Sequence, residues 1–119
     1  MPEFGRRELE LMQVLWRYGD QTAQEIRQRL GVPLADATVR TMLRILEEKG
    51  AVSHVKSGRA FVYRARTGAK VTLRRMLGGI IKGFFDGSAE ALVAHLVSEK
   101  DITPEALEEI RRQQEKLEQ

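Results

Sequence analysis

The chain has 119 residues, of which 42% are hydrophobic and 31% charged, with a formal net charge of +3 and no cysteine. This length suits one domain, or a small domain with an appendage, and the apolar content supports a folded core. The lack of cysteine excludes disulfides, thiol catalysis and cysteine-ligated zinc, and no apolar run reaches the ~18 residues of a membrane span. The N-terminus has no apolar segment of the signal-peptide kind, so we expect a cytoplasmic protein.

The charges are unevenly distributed along the chain. Residues 1–66 hold 12 Lys and Arg against 8 Asp and Glu, and residues 67–85 hold 4 against 0. Residues 86–119 reverse the balance, with 4 against 9. A basic front joined to an acidic tail indicates that the front contacts a polyanion.

Two helices are predicted in the first 30 residues. The first spans residues 6–18 and stops at Gly19; its buried side is predicted to comprise Leu9, Met12, Leu15 and Trp16. Thr22 and Glu25 have the spacing of a capping box, in which a hydroxyl and a carboxylate each bond a backbone N–H at the helix start. They begin a short second helix that ends near Leu30, with Ala23, Ile26 and Leu30 facing inward.

The third helix carries the most information about function. It is predicted from an N-cap at Asp36 to Gly50, and the spacing i, i+3, i+4, i+7 gives one buried stripe, Val39, Met42, Leu43 and Leu46. The opposite face is small, hydroxylic and basic. Such a face suits the DNA major groove, where small residues allow close approach and Arg and Thr reach bases and phosphates. The predicted DNA contacts on this helix are Ala37, Thr38, Arg40, Thr41 and Arg44.

After Gly50 the apolar period changes to two, which is typical of strands. Residues 51–56 and 60–66 are predicted to form a hairpin around a Ser-Gly turn at residues 57–58. Its basic residues Lys56, Arg59 and Arg64 are predicted to hold the DNA backbone, as is the helix start at Thr22. Three helices followed by a basic hairpin predict a winged helix-turn-helix domain over residues 1–68.

The remaining residues, 69–119, are predicted to form three amphipathic helices that serve as a dimerisation domain. The fold class is therefore α+β and mostly helical. These helices carry more apolar surface than they can bury alone, which favours a homodimer, although packing back onto the winged helix is the alternative. The predicted interface residues are Leu73, Met76, Leu77, Ile80, Ile81, Phe84, Phe85, Leu92, Val93, Leu96, Leu107 and Ile110.

Residues for catalysis or metal binding are not evident in the sequence. His54 and His95 stand far apart, without a second His or a carboxylate at ligand spacing. The sequence contains no glycine-rich phosphate loop and no arrangement of nucleophile and base. We therefore expect no catalytic residue, no metal and no cofactor.

Several segments together resemble one family of bacterial regulators. They are ELELMQVLW at residues 8–16, ATVRTML at 37–43, LEEKG at 46–50, FVY at 61–63, and LV to TPE across 92–105. In this order they are similar to the penicillinase-repressor family, which includes the repressors of β-lactamase and methicillin resistance and copper-responsive repressors. The resemblance covers nearly the whole chain.

The resemblance implies a homodimer with interlocked C-terminal helices that blocks transcription at inverted-repeat operators. It also implies that Thr38, Arg40 and Thr41 take the family's base-reading and backbone-contacting positions. Two features depart from the family. The Asn-Phe bond that a sensor protease cuts is replaced by His95-Leu96, and the cysteine pair of copper-responsive members is missing. The releasing signal is thus open among a protease of other specificity, a small ligand and simple dissociation.

Two other functions are alternatives to a sequence-specific repressor. A winged helix used for protein–protein contact is expected to have an apolar or acidic third helix and a neutral hairpin, whereas both are basic here. A nonspecific architectural DNA-binding protein would share the basic charge but prefer no particular site. The sequence favours the repressor, with DNA and a second copy of the chain as its partners.

Overall fold

The computed structural model describes residues 4–118, and within them the chain forms six helices and three strands. The elements are α1 (Arg6–Tyr18), β1 (Gln21–Thr22), α2 (Ala23–Arg29), α3 (Asp36–Glu48), β2 (Val52–Ser57), β3 (Ala60–Ala65), α4 (Ala69–Phe85), α5 (Ala89–Ser98) and α6 (Pro104–Glu118). This mixed and mostly helical composition confirms the predicted fold class. None of the helices in this part of the chain is both long enough and apolar enough to cross a membrane.

The three strands form one antiparallel sheet in the order β1-β3-β2. The hairpin of β2 and β3 pairs Ser57 with Ala60, so that Gly58 and Arg59 form a two-residue turn. Gly58 has a φ of 62°, a conformation that tight hairpin turns require and that glycine adopts without strain. The predicted hairpin is confirmed, but its turn lies one residue later than the predicted Ser57-Gly58. The short β1 was not predicted, because two residues carry no periodic signal.

The hydrophobic core lies among α1, α2, α3 and the start of β2. Its buried members are Leu11, Met12, Val14, Leu15, Ile26, Leu30, Val39, Leu43, Leu46, Ala51 and Val52. Three of the four residues predicted for the stripe of α3 are fully buried, and Met42 packs against them as a partly buried neighbour. Burial of these side chains stabilises the fold by roughly 1.5–3 kcal/mol for each large residue.

The buried side of α1 differs from the prediction. Leu11 and Val14 are buried, whereas Leu9 and Trp16 are only half-buried at the margin of the core. The Trp16 indole N–H donates to the carbonyl of Thr67 at 2.8 Å. An indole placed at the edge of a core can bury its ring and still satisfy its N–H, which explains its position.

The helix starts of the N-terminal unit follow the predictions in one case and not in the other. The capping box is confirmed, since Thr22 and Glu25 bond each other's backbone N–H groups at 3.0 and 3.2 Å. The predicted N-cap at Asp36 is wrong, because Ala35 occupies that position without a side-chain cap. Asp36 lies instead in the first turn, where a carboxylate interacts favourably with the helix dipole.

The chain divides into two compact units, the first ending at Met76 and the second beginning at Leu77. The division falls inside α4, whereas the predicted boundary at residues 68–69 coincides with the start of that helix and stays a prediction. In the second unit the predicted caps are confirmed. Ser88 accepts from the N–H of Ala91, and Thr103 accepts from that of Ala106, both at 3.1 Å.

Candidate nucleic-acid interface

The outer face of α3 is a continuous exposed surface. All five residues predicted to contact DNA from this helix are exposed, namely Ala37, Thr38, Arg40, Thr41 and Arg44. They lie opposite Val39, Leu43 and Leu46, which are buried completely. Packing of the apolar stripe against the core therefore fixes the orientation of the basic face toward solvent.

A cleft of about 490 Å³ joins this helix to α2 and to the hairpin. It is lined by Thr22, Ala23, Gln24, Arg40, Arg59, Ala60, Phe61 and Tyr63. Three residues predicted from separate elements, Thr22, Arg40 and Arg59, thus face one concave surface. The pairing of Thr22 with Val62 in the sheet accounts for this proximity, because it places the start of α2 beside the hairpin.

The remaining predicted residues do not line the cleft. Lys56 on β2 and Arg64 on β3 are exposed along the hairpin. Ala37, Thr38, Thr41 and Arg44 belong to the exposed face of α3. The predicted set therefore covers a surface wider than the cleft, and the cleft is its concave part.

Some cations of this surface form ion pairs with carboxylates and others do not. Arg44 Nη1 lies 2.8 Å from Glu48 Oε1, and Arg64 Nη2 lies 3.0 Å from Asp20 Oδ2. Within residues 4–118, by contrast, Arg40, Lys56 and Arg59 have no carboxylate oxygen within 4.0 Å. An anion can therefore approach these three directly. Exposed ion pairs contribute only about 0–1 kcal/mol, so Arg44 and Arg64 can exchange their partners at small cost.

Some of the hydrogen-bonding groups at the start of α2 are already used by its capping box. The N–H of Thr22 donates to Glu25 Oε1, and Thr22 Oγ1 accepts from the Glu25 N–H. These hydrogen bonds with Thr22 hold the pKa of the Glu25 carboxyl below its usual value. A phosphate contact predicted at Thr22 would consequently use the N–H groups of Ala23 and Gln24, which come next in the helix.

Gln24 and Tyr63 line the cleft but were not predicted as site residues. The phenol of Tyr63 has a raised pKa, mainly through burial and also through the negative charge of Glu47, while Arg40 acts in the opposite direction. The hydroxyl therefore stays protonated and can donate a hydrogen bond at neutral pH. The alternation of β3, which places Phe61 and Tyr63 on one face, was the signal that could have identified it.

The chain resembles known repressors along most of its length. The family model described as penicillinase repressor matches residues 4–116. The penicillinase repressor of Bacillus licheniformis is 26% identical over 112 residues, covering 92% of this chain and 88% of that protein.

Solved structures show the same similarity. The solution structure of Bacillus licheniformis BlaI, a monomeric form in complex with the blaP half-operator, is 34% identical, with a TM-score of 0.51 over 58% of this chain and 87% of that one. The YusO protein of Bacillus subtilis shares the fold at 19% identity, with a TM-score of 0.58 over 94% of this chain and 72% of that one. The family match includes both the helix–hairpin unit and the C-terminal helices. The chain therefore belongs to the penicillinase repressor family, whose members are winged-helix, DNA-binding transcriptional repressors.

Proposed function

We propose that two copies of this chain bind an inverted-repeat operator and block transcription there until a signal releases them. The observation that carries the proposal is the cleft in which Arg40 of α3 and Arg59 of the hairpin face one concave surface. Neither arginine has a carboxylate within 4.0 Å among the described residues, so both are available to DNA. The similarity to BlaI, which is solved with a half-operator, supports the same use of this surface.

In this proposal α3 enters the major groove and reads the operator sequence. Arg40 and Arg44 donate to guanine edges or phosphates, and Thr38 and Thr41 contact a thymine methyl or a phosphate. Ala37 allows close approach of the helix to the bases. A good bidentate contact between arginine and guanine contributes about 1–3 kcal/mol of discrimination against the wrong base.

The hairpin holds the flanking DNA backbone and does not read sequence. Lys56, Arg59 and Arg64 are exposed cations on it, and contacts of this kind position a protein on the duplex. Each phosphate neutralised by such a residue releases counterions, so binding weakens as the salt concentration rises.

Dimerisation is proposed to occur through the C-terminal helices. All twelve residues predicted for the interface are exposed or half-buried in the single chain; Ile80 is 45% and Phe84 83% exposed. Apolar side chains exposed together in this way mark association surfaces. A second copy would cover them and would also supply the second α3 that an inverted repeat requires.

The releasing signal is proposed to act by separating the two copies. Three signals are compatible with this proposal: a protease whose specificity differs from the family's Asn-Phe cut, a small ligand, or dissociation alone. Each would leave single DNA-binding units, which bind the operator more weakly than a dimer. The positions of the family's cleavage bond, His95 and Leu96, lie here within α5.

The test is fluorescence anisotropy with the duplex upstream of the protein's own gene and with a scrambled duplex, each over a salt series. We expect a gap of about 10³ or more in affinity at physiological salt, with two chains per site. Equal and steeply salt-dependent binding of both duplexes would indicate an architectural protein. No binding to either would favour protein–protein contact.

Two variants test the separate roles of helix and hairpin. Arg40→Ala should weaken binding to the specific duplex about tenfold or more and reduce the gap between the duplexes, because it removes a base contact. Lys56→Ala should weaken both duplexes alike and lower the salt slope by about one, because it removes a phosphate contact. Lys116→Ala removes the same charge from the end of α6 and serves as the control. Identical effects of Arg40→Ala and Lys56→Ala on both duplexes would contradict this division of roles.

A further inference from the structure

One side-chain pair connects α3 to the hairpin at the edge of the proposed DNA surface. His54 Nδ1 on β2 lies 2.6 Å from Glu47 Oε1 and 2.8 Å from Glu47 Oε2. About one third of each side chain is exposed, so the pair is held by packing and still reached by solvent protons. Glu47 and His54 are absent from the set of DNA contacts, and no other role of this protein uses them.

The imidazole packs against two aromatic rings of β3. Its ring centroid lies 4.7 Å from that of Phe61 and 5.4 Å from that of Tyr63, which is its direct partner in the hairpin register. Both aromatic residues also line the cleft. His54 therefore packs against two residues of the cleft wall.

Charged residues near this pair lie on α3 and β2, and β3 contributes the titratable phenol of Tyr63. On α3, Glu47 raises and Arg40 lowers the pKa of the Tyr63 phenol, so both charges lie close to that ring. On β2, Lys56 follows His54 by two residues and shares its face of the strand. Glu47 is thus a carboxylate beside a surface whose other charges, Arg40 and Lys56, are positive.

We propose that His54 and Glu47 form a proton-controlled positioning pair that tightens DNA binding as the pH falls. With a neutral imidazole, the Nδ1–H donates to the carboxylate and the pair carries one negative charge. With a protonated imidazole, the same hydrogen bond joins opposite charges and the pair is neutral. DNA repels the first state more than the second, so binding takes up a proton. The inference rests on the proposed DNA-binding function and adds a regulation to it.

The sign and size of the effect follow from linkage. Imidazoles are the side chains that commonly change charge near neutral pH, so DNA affinity is compared between pH 6 and pH 8. If DNA binding takes up one full proton, the affinity for DNA rises by at most about tenfold for each unit by which the pH is lowered. We expect the wild type to bind about three- to tenfold more tightly at pH 6 than at pH 8, which is less than the limit for one full proton.

The chain offers a matched control, since it contains only two histidines. Anisotropy is measured at pH 6 and pH 8, at constant ionic strength, with the upstream and the scrambled duplex. His54→Gln keeps an N–H donor for Glu47 but cannot take up a proton, so its affinity should change little with pH. His95→Gln alters the other histidine, on α5, and should keep the dependence of the wild type. Any contribution of the terminal amine is common to all variants.

Glu47→Gln separates this role from a merely structural one. The amide oxygen still accepts from the imidazole, but the negative charge is gone. We therefore expect Glu47→Gln to bind DNA more tightly than the wild type at pH 8. A pair that only holds the hairpin in place would instead lose affinity when its carboxylate is removed.

The outcomes are distinct from those that concern the proposed function. DNA binding that is present but equal at pH 6 and pH 8 in the wild type would overturn the inference and leave the repressor intact. The same result follows if His54→Gln retains the full pH dependence, or if Glu47→Gln weakens binding at pH 8. A lack of DNA binding at every pH would overturn both.

Discussion

At the scale of single residues, the amide of Gln21 shows how much one buried polar group contributes to this fold. The residue is 1% exposed, and its Nε2 donates to the carbonyls of Val14 at 3.1 Å and Gly19 at 2.9 Å. Its Oε1 accepts from Arg29 Nη1 at 2.7 Å. One side chain therefore satisfies the end of α1 and is held by α2, while its backbone forms β1.

Replacement of Gln21 tests this contribution. Gln21→Leu should lower the free energy of unfolding by about 1–3 kcal/mol, because the buried carbonyl of Val14 loses the Gln21 donor. Urea unfolding followed by circular dichroism measures the change. Gln28→Leu on the exposed side of α2 is the control and should change it by less than about 0.5 kcal/mol. Equal effects of the two substitutions would show that the buried hydrogen bonds contribute little.

At the scale of elements, Glu8 connects the start of α1 to the end of α3. Its Oε1 accepts from the N–H of Gly5 at 2.9 Å, and both carboxylate oxygens accept from Lys49 Nζ at 2.9 and 3.0 Å. Burial alone would raise the pKa of this carboxyl. The hydrogen bonds from Gly5 and Lys49, with the charge of Lys49, outweigh burial and hold the pKa below the ordinary value of 4.5.

The depressed pKa of Glu8 predicts a pH dependence of stability. A carboxyl whose pKa is lower in the folded chain than in the unfolded chain stabilises the fold fully above the unfolded pKa. That stabilisation is lost as the pH falls through the folded pKa. The free energy of unfolding should therefore decrease below about pH 4.5, and Glu8→Gln should flatten this decrease. Urea midpoints between pH 3 and pH 6 measure it, with Glu118→Gln as the control; an unchanged acid slope in Glu8→Gln would contradict the assignment.

At the scale of the whole molecule, the three C-terminal helices form the proposed contact between two copies of the chain. Their apolar residues are spread over α4, α5 and α6, and several of the largest are exposed, among them Leu77, Ile80, Phe84 and Ile110. About 25 cal/mol is gained for each Å² of apolar surface removed from water, and this gain supports the proposed dimer.

A substitution on α4 tests the dimer. Ile80→Asp should shift the protein from dimer to monomer at micromolar concentration, because a charge buried in an apolar interface has no partner. Sedimentation velocity measures the state, and the specific duplex should then be bound more weakly. Lys82→Asp changes a residue 200° around the same helix and should leave the dimer intact. A wild-type chain that is a stable monomer at this concentration would rule the dimer out.

The sequence by itself determined the features that depend on neighbouring residues. The bounds of α1, the capping box of Thr22 and Glu25, the hairpin and the cap at Ser88 all matched the prediction. Each rests on hydrogen bonds or periodic burial within a few residues, which single-chain patterns encode directly. The exposed basic face of α3 followed in the same way, because its apolar stripe had to be buried.

Tertiary structure decided what depends on residues far apart in the chain. β1 exists because Gln21 and Thr22 meet β3, some 40 positions later, and that pairing also brings Gln24 and Tyr63 into the cleft. The ion pair of Arg64 with Asp20, the half-burial of Trp16, and the contact between His54 and Glu47 were likewise not readable from local patterns. Such contacts form when whole elements pack against one another. The partner of a side chain is then set by proximity in three dimensions, because packing brings together residues that are far apart along the chain.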